Sequence, residues 1–270
     1  MHNIWLLTKV TFKQGIKSRI LAGIAFLSAL LFASNIAITN LFAIEMGKVM
    51  VDIGFSVLSL AGLSIIFFLG IGLVSHDIHN RTVCMVISRP FTRWQYILGK
   101  YGGLTLILLT ATVILGALAI LSFFVCSLLV PGLELPRDFS WPAILVTISF
   151  NFLSLLVVMS FAFFFTIISS SIYLAMLFTF CTYFIGHCLE TIVKILQGGH
   201  FVDASPSLVF FLKTISWIFP NLSAFDLKAS MAYGLPLDPV YLGWTAVYGC
   251  SYSVLMMIFT FIVFRRRDIC

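Results

Sequence analysis

The chain has 270 residues, of which 61% are hydrophobic and 10% charged, with a formal net charge of +6. Ordinary soluble domains carry about 25% charged residues, so this balance and a mean hydropathy of +1.11 exclude a water-soluble fold and indicate one integral membrane domain. The positive charge is split among short segments between apolar runs, which argues for membrane topology and against a nucleic-acid surface.

Residues 1–19 come first. Lys9, Lys13 and Lys17 recur every four residues, with Ile4, Trp5, Leu7 and Phe12 elsewhere on the wheel. This predicts an amphipathic helix on the cytoplasmic membrane face. The apolar run that follows is too long for a cleaved signal peptide.

A membrane-spanning helix needs about 20 apolar residues. Residues 20–44 and 53–75 predict the first two spans, and 101–130 the third. Residues 139–189 hold no charge over a length that suits two helices, with the break expected at Ser169, Ser170 and Ser171. Residues 239–264 supply the sixth span. All six should be helices, because lipid offers no partner for free backbone groups. The expected architecture is therefore all-α, one domain over 1–270, with both ends cytoplasmic. On that layout Lys9, Lys13, Lys17, Arg19, Arg81, Arg89, Arg93, Lys100 and Arg265 to Arg267 lie inside, while Lys48, Arg137, Lys194, Lys213 and Lys228 lie outside. Only Asp77 and Asp268 among the acids fall inside. Glu190 and Lys194 are four apart, which favours helix continuation about two turns past Leu189. The external segment is 190–238, in which 206–220 suits an interfacial or re-entrant helix.

The cytoplasmic loop, 76–100, has an internal layout. Val83, Val86 and Ile87 give 82–88 an apolar stripe at helical spacing. Pro90 cannot continue that helix and biases Arg89 away from it. Thr92 and Gln95 then form a T-x-x-Q capping box, with Phe91 and Tyr96 at the positions of a hydrophobic staple. The third span is thus expected to start at Arg93. Gly99 and Gly103 have the spacing that permits close helix approach.

Candidates for chemistry are sparse. The phosphate-loop pattern and H-E-x-x-H are both absent, so this chain is not expected to hydrolyse ATP or act as an enzyme. Cys181, His187 and Cys188 near the outer end of the fifth span are either soft-metal ligands or ordinary packing residues with an interfacial histidine. The packing reading is favoured. Asn35, Asn151 and Ser154, polar within spans, either line a path or bond helix to helix. The 28 phenylalanines read as lipid-facing filler.

The stretch SRPFTRWQYILGKYGG, Ser88–Gly103, resembles the cytoplasmic loop of type-2 ABC transporter permeases, the membrane subunits of ATP-binding-cassette exporters. Pro90, Thr92, Arg93, Tyr96, Gly99 and Lys100 occupy the positions of that pattern. The basic start (Phe12–Leu21), the six spans and the FRRRDI ending are also similar to the family. Phe219–Lys228 looks like the external segment of one branch, which includes permeases linked to maturation of a copper enzyme. In many members a Glu and a Gly-Thr precede the loop helix, whereas here Arg81 precedes Thr82.

The resemblance implies a multi-pass protein of the bacterial plasma membrane that forms an export pathway with a second permease copy or a related one. ATP and Mg would be bound by separate cytoplasmic ATPase subunits. Arg81, Thr82, Val83, Val86, Ile87, Arg89, Pro90, Thr92 and Arg93 would form the coupling element they grip, and membrane lipids would be the remaining partners. The rival reading is a scaffold or assembly subunit that moves no substrate.

Overall fold

The computed structural model describes residues 2–39, 46–79, 92–129, 141–169, 171–197, 210, 214–216, 218–233 and 238–266. These residues are helical almost throughout, and no strand occurs among them. Helix α1 runs over His2–Ile16 and α2 over Arg19–Thr39. Helix α3, Met46–Ser64, passes without a gap through a π-helical stretch, Ile65–Ile71, into α4, Gly72–His79. Then come α5 (Arg93–Leu129), α6 (Trp141–Ile168) and α7 (Ile172–Gln197). A 3-10 turn at Ser223–Phe225 leads to the short α8, Lys228–Tyr233, and to α9, Pro239–Arg266.

Among the described residues five helices are long and apolar enough to cross a membrane, and there are six if α1 and α2, joined at a 57° bend, count as one span. The chain is accordingly a membrane protein. The hydroxyl-rich break falls where the sequence places it: α6 stops at Ile168 and α7 starts at Ile172. Helix α7 also continues beyond Leu189 to Gln197. The second and third spans are longer than their apolar runs: α3 to α4 takes in Lys48, Asp52 and Asp77, and α5 takes in Arg93 and Lys100, of which Asp77 and Lys100 pair with each other.

The core lies between α3–α4, α5, α6 and α9. Ile66, Ile97, Ile107, Leu108 and Phe264 are fully buried in one cluster, and Met50, Phe55, Leu58 and Phe123 in another. The outer surface is itself apolar. Phe26, Val113, Phe178, Phe184 and Trp244 are all exposed, as lipid-facing positions should be. Phenylalanine therefore serves both as filler outside and as core inside. Hydroxyls within the helices bond back to carbonyls one turn earlier, as Thr112, Thr147, Ser149, Thr166 and Thr260 do. That satisfies them where water is absent.

Helix α1 packs lengthwise on the start of α5. Contacts advance together along both helices, from Leu7 at Gly99, through Thr8 at Gly102 and Thr11 at Gly103, to Gly15 at Ile107. Thr8 Oγ1 donates to the Gly99 carbonyl at 3.2 Å. The buried face of α1 is thus small and hydroxylic, while Trp5, Leu6, Val10 and Ile16 are exposed beside Lys9, Lys13 and Lys17.

Candidate functional site

Polar side chains converge in two constellations, one at each end of the bundle. At the expected cytoplasmic end, the capping box is formed in both directions. The Thr92 N–H donates to Gln95 Oε1 at 3.2 Å, and the Gln95 N–H donates to Thr92 Oγ1 at 3.3 Å. Helix α5 begins at Arg93 as a result. Thr92→Ala should cost about 1 kcal/mol and expose the first-turn amides of α5 to hydrogen exchange. Unchanged exchange at Gln95 would show that the cap contributes nothing.

Two turns into α5, Lys100 is 3% exposed and its ammonium is paired with the Asp77 carboxylate of α4. The same carboxylate accepts a hydrogen bond from the Tyr96 hydroxyl at 3.4 Å. Tyr96 is buried and stacks on Phe264 of α9, with ring centroids 5.9 Å apart. Trp94 meets Phe261 edge to face at 4.6 Å. The Arg93 guanidinium donates to the Phe264 and Arg265 carbonyls, at 3.2 and 3.1 Å. These are among the last carbonyls of α9, which lack partners within the helix and attract a cation. Three chain segments far apart in sequence are therefore tied at one level: the end of α4, the start of α5 and the end of α9.

Of the nine residues expected to form the coupling element, Thr92 and Arg93 are placed here. Arg81, Thr82, Val83, Val86, Ile87, Arg89 and Pro90 lie outside the described residues, as does Phe91 of the expected staple. The sequence reading missed the Asp77–Lys100 pair and the Tyr96 hydroxyl bond. A usable signal existed, since Asp77 is the sole acid in a basic loop.

At the opposite end, residues 219–231 fold into the bundle. Pro220, Leu222, Phe225, Leu227 and Met231 are buried. The Leu222 N–H donates to the Gly186 carbonyl at 3.0 Å, and Ser223 Oγ donates to the His187 carbonyl at 2.7 Å. The Asn221 N–H donates to the Tyr248 hydroxyl at 2.8 Å. Gly186 is required for this close approach, because a Cβ there would sit 2.9 Å from the Pro220 carbonyl oxygen. Beneath the segment is a cavity of about 30 Å³, enough for one water, where Ser59, Asn151, Ser154, Tyr183, His187 and Asp226 converge. Asn151 Nδ2 donates to Ser59 Oγ, joining α6 to α3, while Asn151 Oδ1 is buried without a partner.

Asn151 and Ser154 are thus brought together with His187, a grouping the sequence reading did not make. The side chain of Asn35 lies outside the described residues. His187 packs edge to face on Tyr183 at 4.5 Å, whereas Cys181 is exposed and Cys188 is half-buried. No group of three or more His, Cys, Asp or Glu side chains among the described residues is placed to hold a metal.

Residues 63–270 match a family described as "Protein of unknown function (DUF2705)". The chain belongs to that family. The DUF2705 match begins at Leu63, just before the π-helical stretch, and takes in Asp77, Arg93, Tyr96, Lys100, Phe264 and the whole 219–231 segment. It leaves out α1, α2 and Ser59. No curated protein matches the chain.

Proposed function

We propose that this chain is the transmembrane subunit of an ABC-type exporter, working in a bacterial plasma membrane with both ends in the cytoplasm. On this reading it forms the export pathway with a second permease and receives motion from a separate ATPase through the 76–100 loop. The observation that carries the reading is the tying of both loop stems. The Asp77–Lys100 pair joins the end of α4 to the start of α5, and Arg93 and Tyr96 join α5 to the end of α9. A force applied to the loop is then delivered to three helices together rather than absorbed by slack at one stem. The resemblance of Ser88–Gly103 to the permease loop supplies the kind of partner that would apply it.

The outer pocket supports the same reading. A polar cavity capped by the 219–231 segment suits a pathway closed on its outer side. Asn151 Oδ1, buried and unpartnered, is a polar atom facing that interior.

The deciding experiment is mild-detergent extraction of the full chain from its native membrane, with assay of the extract for a bound ATPase. A co-purifying ATPase is expected; recovery of the chain alone or with non-hydrolytic proteins favours the scaffold reading. In the reconstituted complex, Pro90→Gly should leave insertion and ATP hydrolysis intact but lower transport per ATP. Unchanged transport per ATP in that variant rules out the loop as a lever.

A further inference from the structure

The 57° bend between α1 and α2 leaves a wedge between α2 and α5, floored by the π-helical stretch. Its volume is about 410 Å³, within the range of about 300–1,000 Å³ common to small-molecule sites. The walls are Leu21, Ala22 and Ala25 on α2, Ala111 and Ile114 on α5, and Ile65 below. Ile16 and Ile114 at the rim are exposed. The lining offers almost no polar surface: Thr110 is the one hydroxyl, and it is already bonded to the Ile107 carbonyl at 2.9 Å.

Charge sits at the same bend. Lys13, Lys17 and Arg19 are exposed around it, and residues 2–39 contain no carboxylate. The bend is itself fixed, because Ser18 Oγ accepts the Leu21 N–H at 3.3 Å and starts α2 there. An apolar slot beside a cluster of cations whose own segment holds no carboxylate matches a molecule with a hydrocarbon chain and a negative head. In a chain that spans a membrane, such molecules are the bilayer's own constituents.

We propose that the wedge is a binding site for one anionic glycerophospholipid, with an acyl chain between α2 and α5 and its phosphate against Lys17 and Arg19. A neutral lipid satisfies the slot but not the cations. A second copy of this chain carries the same cations and would bring like charge to like.

The test uses the full chain, washed in detergent, supplied with phosphatidylglycerol or phosphatidylcholine and examined by native mass spectrometry. Wild type should retain one phosphatidylglycerol in preference to phosphatidylcholine by roughly thirtyfold, given the usual attraction of two basic residues to an anionic head. Lys17→Gln with Arg19→Gln should remove the preference while leaving retention of either lipid. Ala25→Phe, which grows from an exposed position into the wedge, should abolish retention of both. Ala22→Phe on the same wall repeats that arm if the first variant does not fold. Equal retention of the two lipids by wild type, or retention unaffected by filling the wedge, overturns the proposal. So does a protein dimer whose wedge excludes both lipids.

Discussion

Lys100→Met is expected to destabilise the chain by about 3–5 kcal/mol, the usual cost of removing one partner from a buried ion pair. Methionine keeps most of the lysine stem's volume, so packing changes little. What changes is Asp77, whose carboxylate, with a side chain only 14% exposed, loses its cation and keeps the Tyr96 hydroxyl alone. The double variant Asp77→Asn with Lys100→Met removes both charges and should recover most of the loss, since neutral replacement of a buried pair is often close to neutral in stability. Thermal unfolding in detergent distinguishes the cases. A single variant within about 0.5 kcal/mol of wild type would place the pair among surface contacts, and the tie between α4 and α5 would have to be abandoned.

Gly103→Ala should dislodge α1. The added Cβ would lie 2.5 Å from Thr11 Cβ and 3.0 Å from the Thr8 carbonyl oxygen. Neither is the far end of a flexible side chain, so the helix itself has to move, at about 1–3 kcal/mol. Maleimide labelling of Thr8→Cys, buried in the parent, should rise sharply when Gly103→Ala is added. Gly23→Ala is the matched control, because its new methyl meets nothing within 4 Å. Equal labelling in the parent and in both glycine variants would mean that α1 does not rest on α5.

The features legible in the sequence are those set by local rules. The break at Ser169 to Ser171, the capping box of Thr92 and Gln95, and the run of α7 past Leu189 each depend on residues within a turn or two of one another. The Gly99 and Gly103 spacing correctly announced close approach, yet it could not name α1 as the neighbour. The pair of Asp77 and Lys100 depends on how two spans meet after a loop, and the Arg93 bonds to α9 on a helix end about 170 residues away. Charge counting assigns these groups an expected side of the membrane but does not name their partners. Likewise Asn151 reads as a generic polar residue until α3 brings Ser59, α7 brings His187 and the 219–231 segment brings Asp226 to it.

The π-helical stretch at Ile65–Ile71 has a consequence for the second span's facing. Leu60, Phe68 and His76 are all exposed, at intervals of eight residues. In an unbroken α-helix, sixteen residues make about 4.4 turns, which would swing His76 nearly to the far side from Leu60. Each residue of a π turn advances the wheel by less, so the seven residues of the stretch delay the rotation and return His76 to Leu60's side. The stretch acts as a phase correction: it lets one long helix show a single outward stripe from its lipid-flanked half down to the half that holds Asp77.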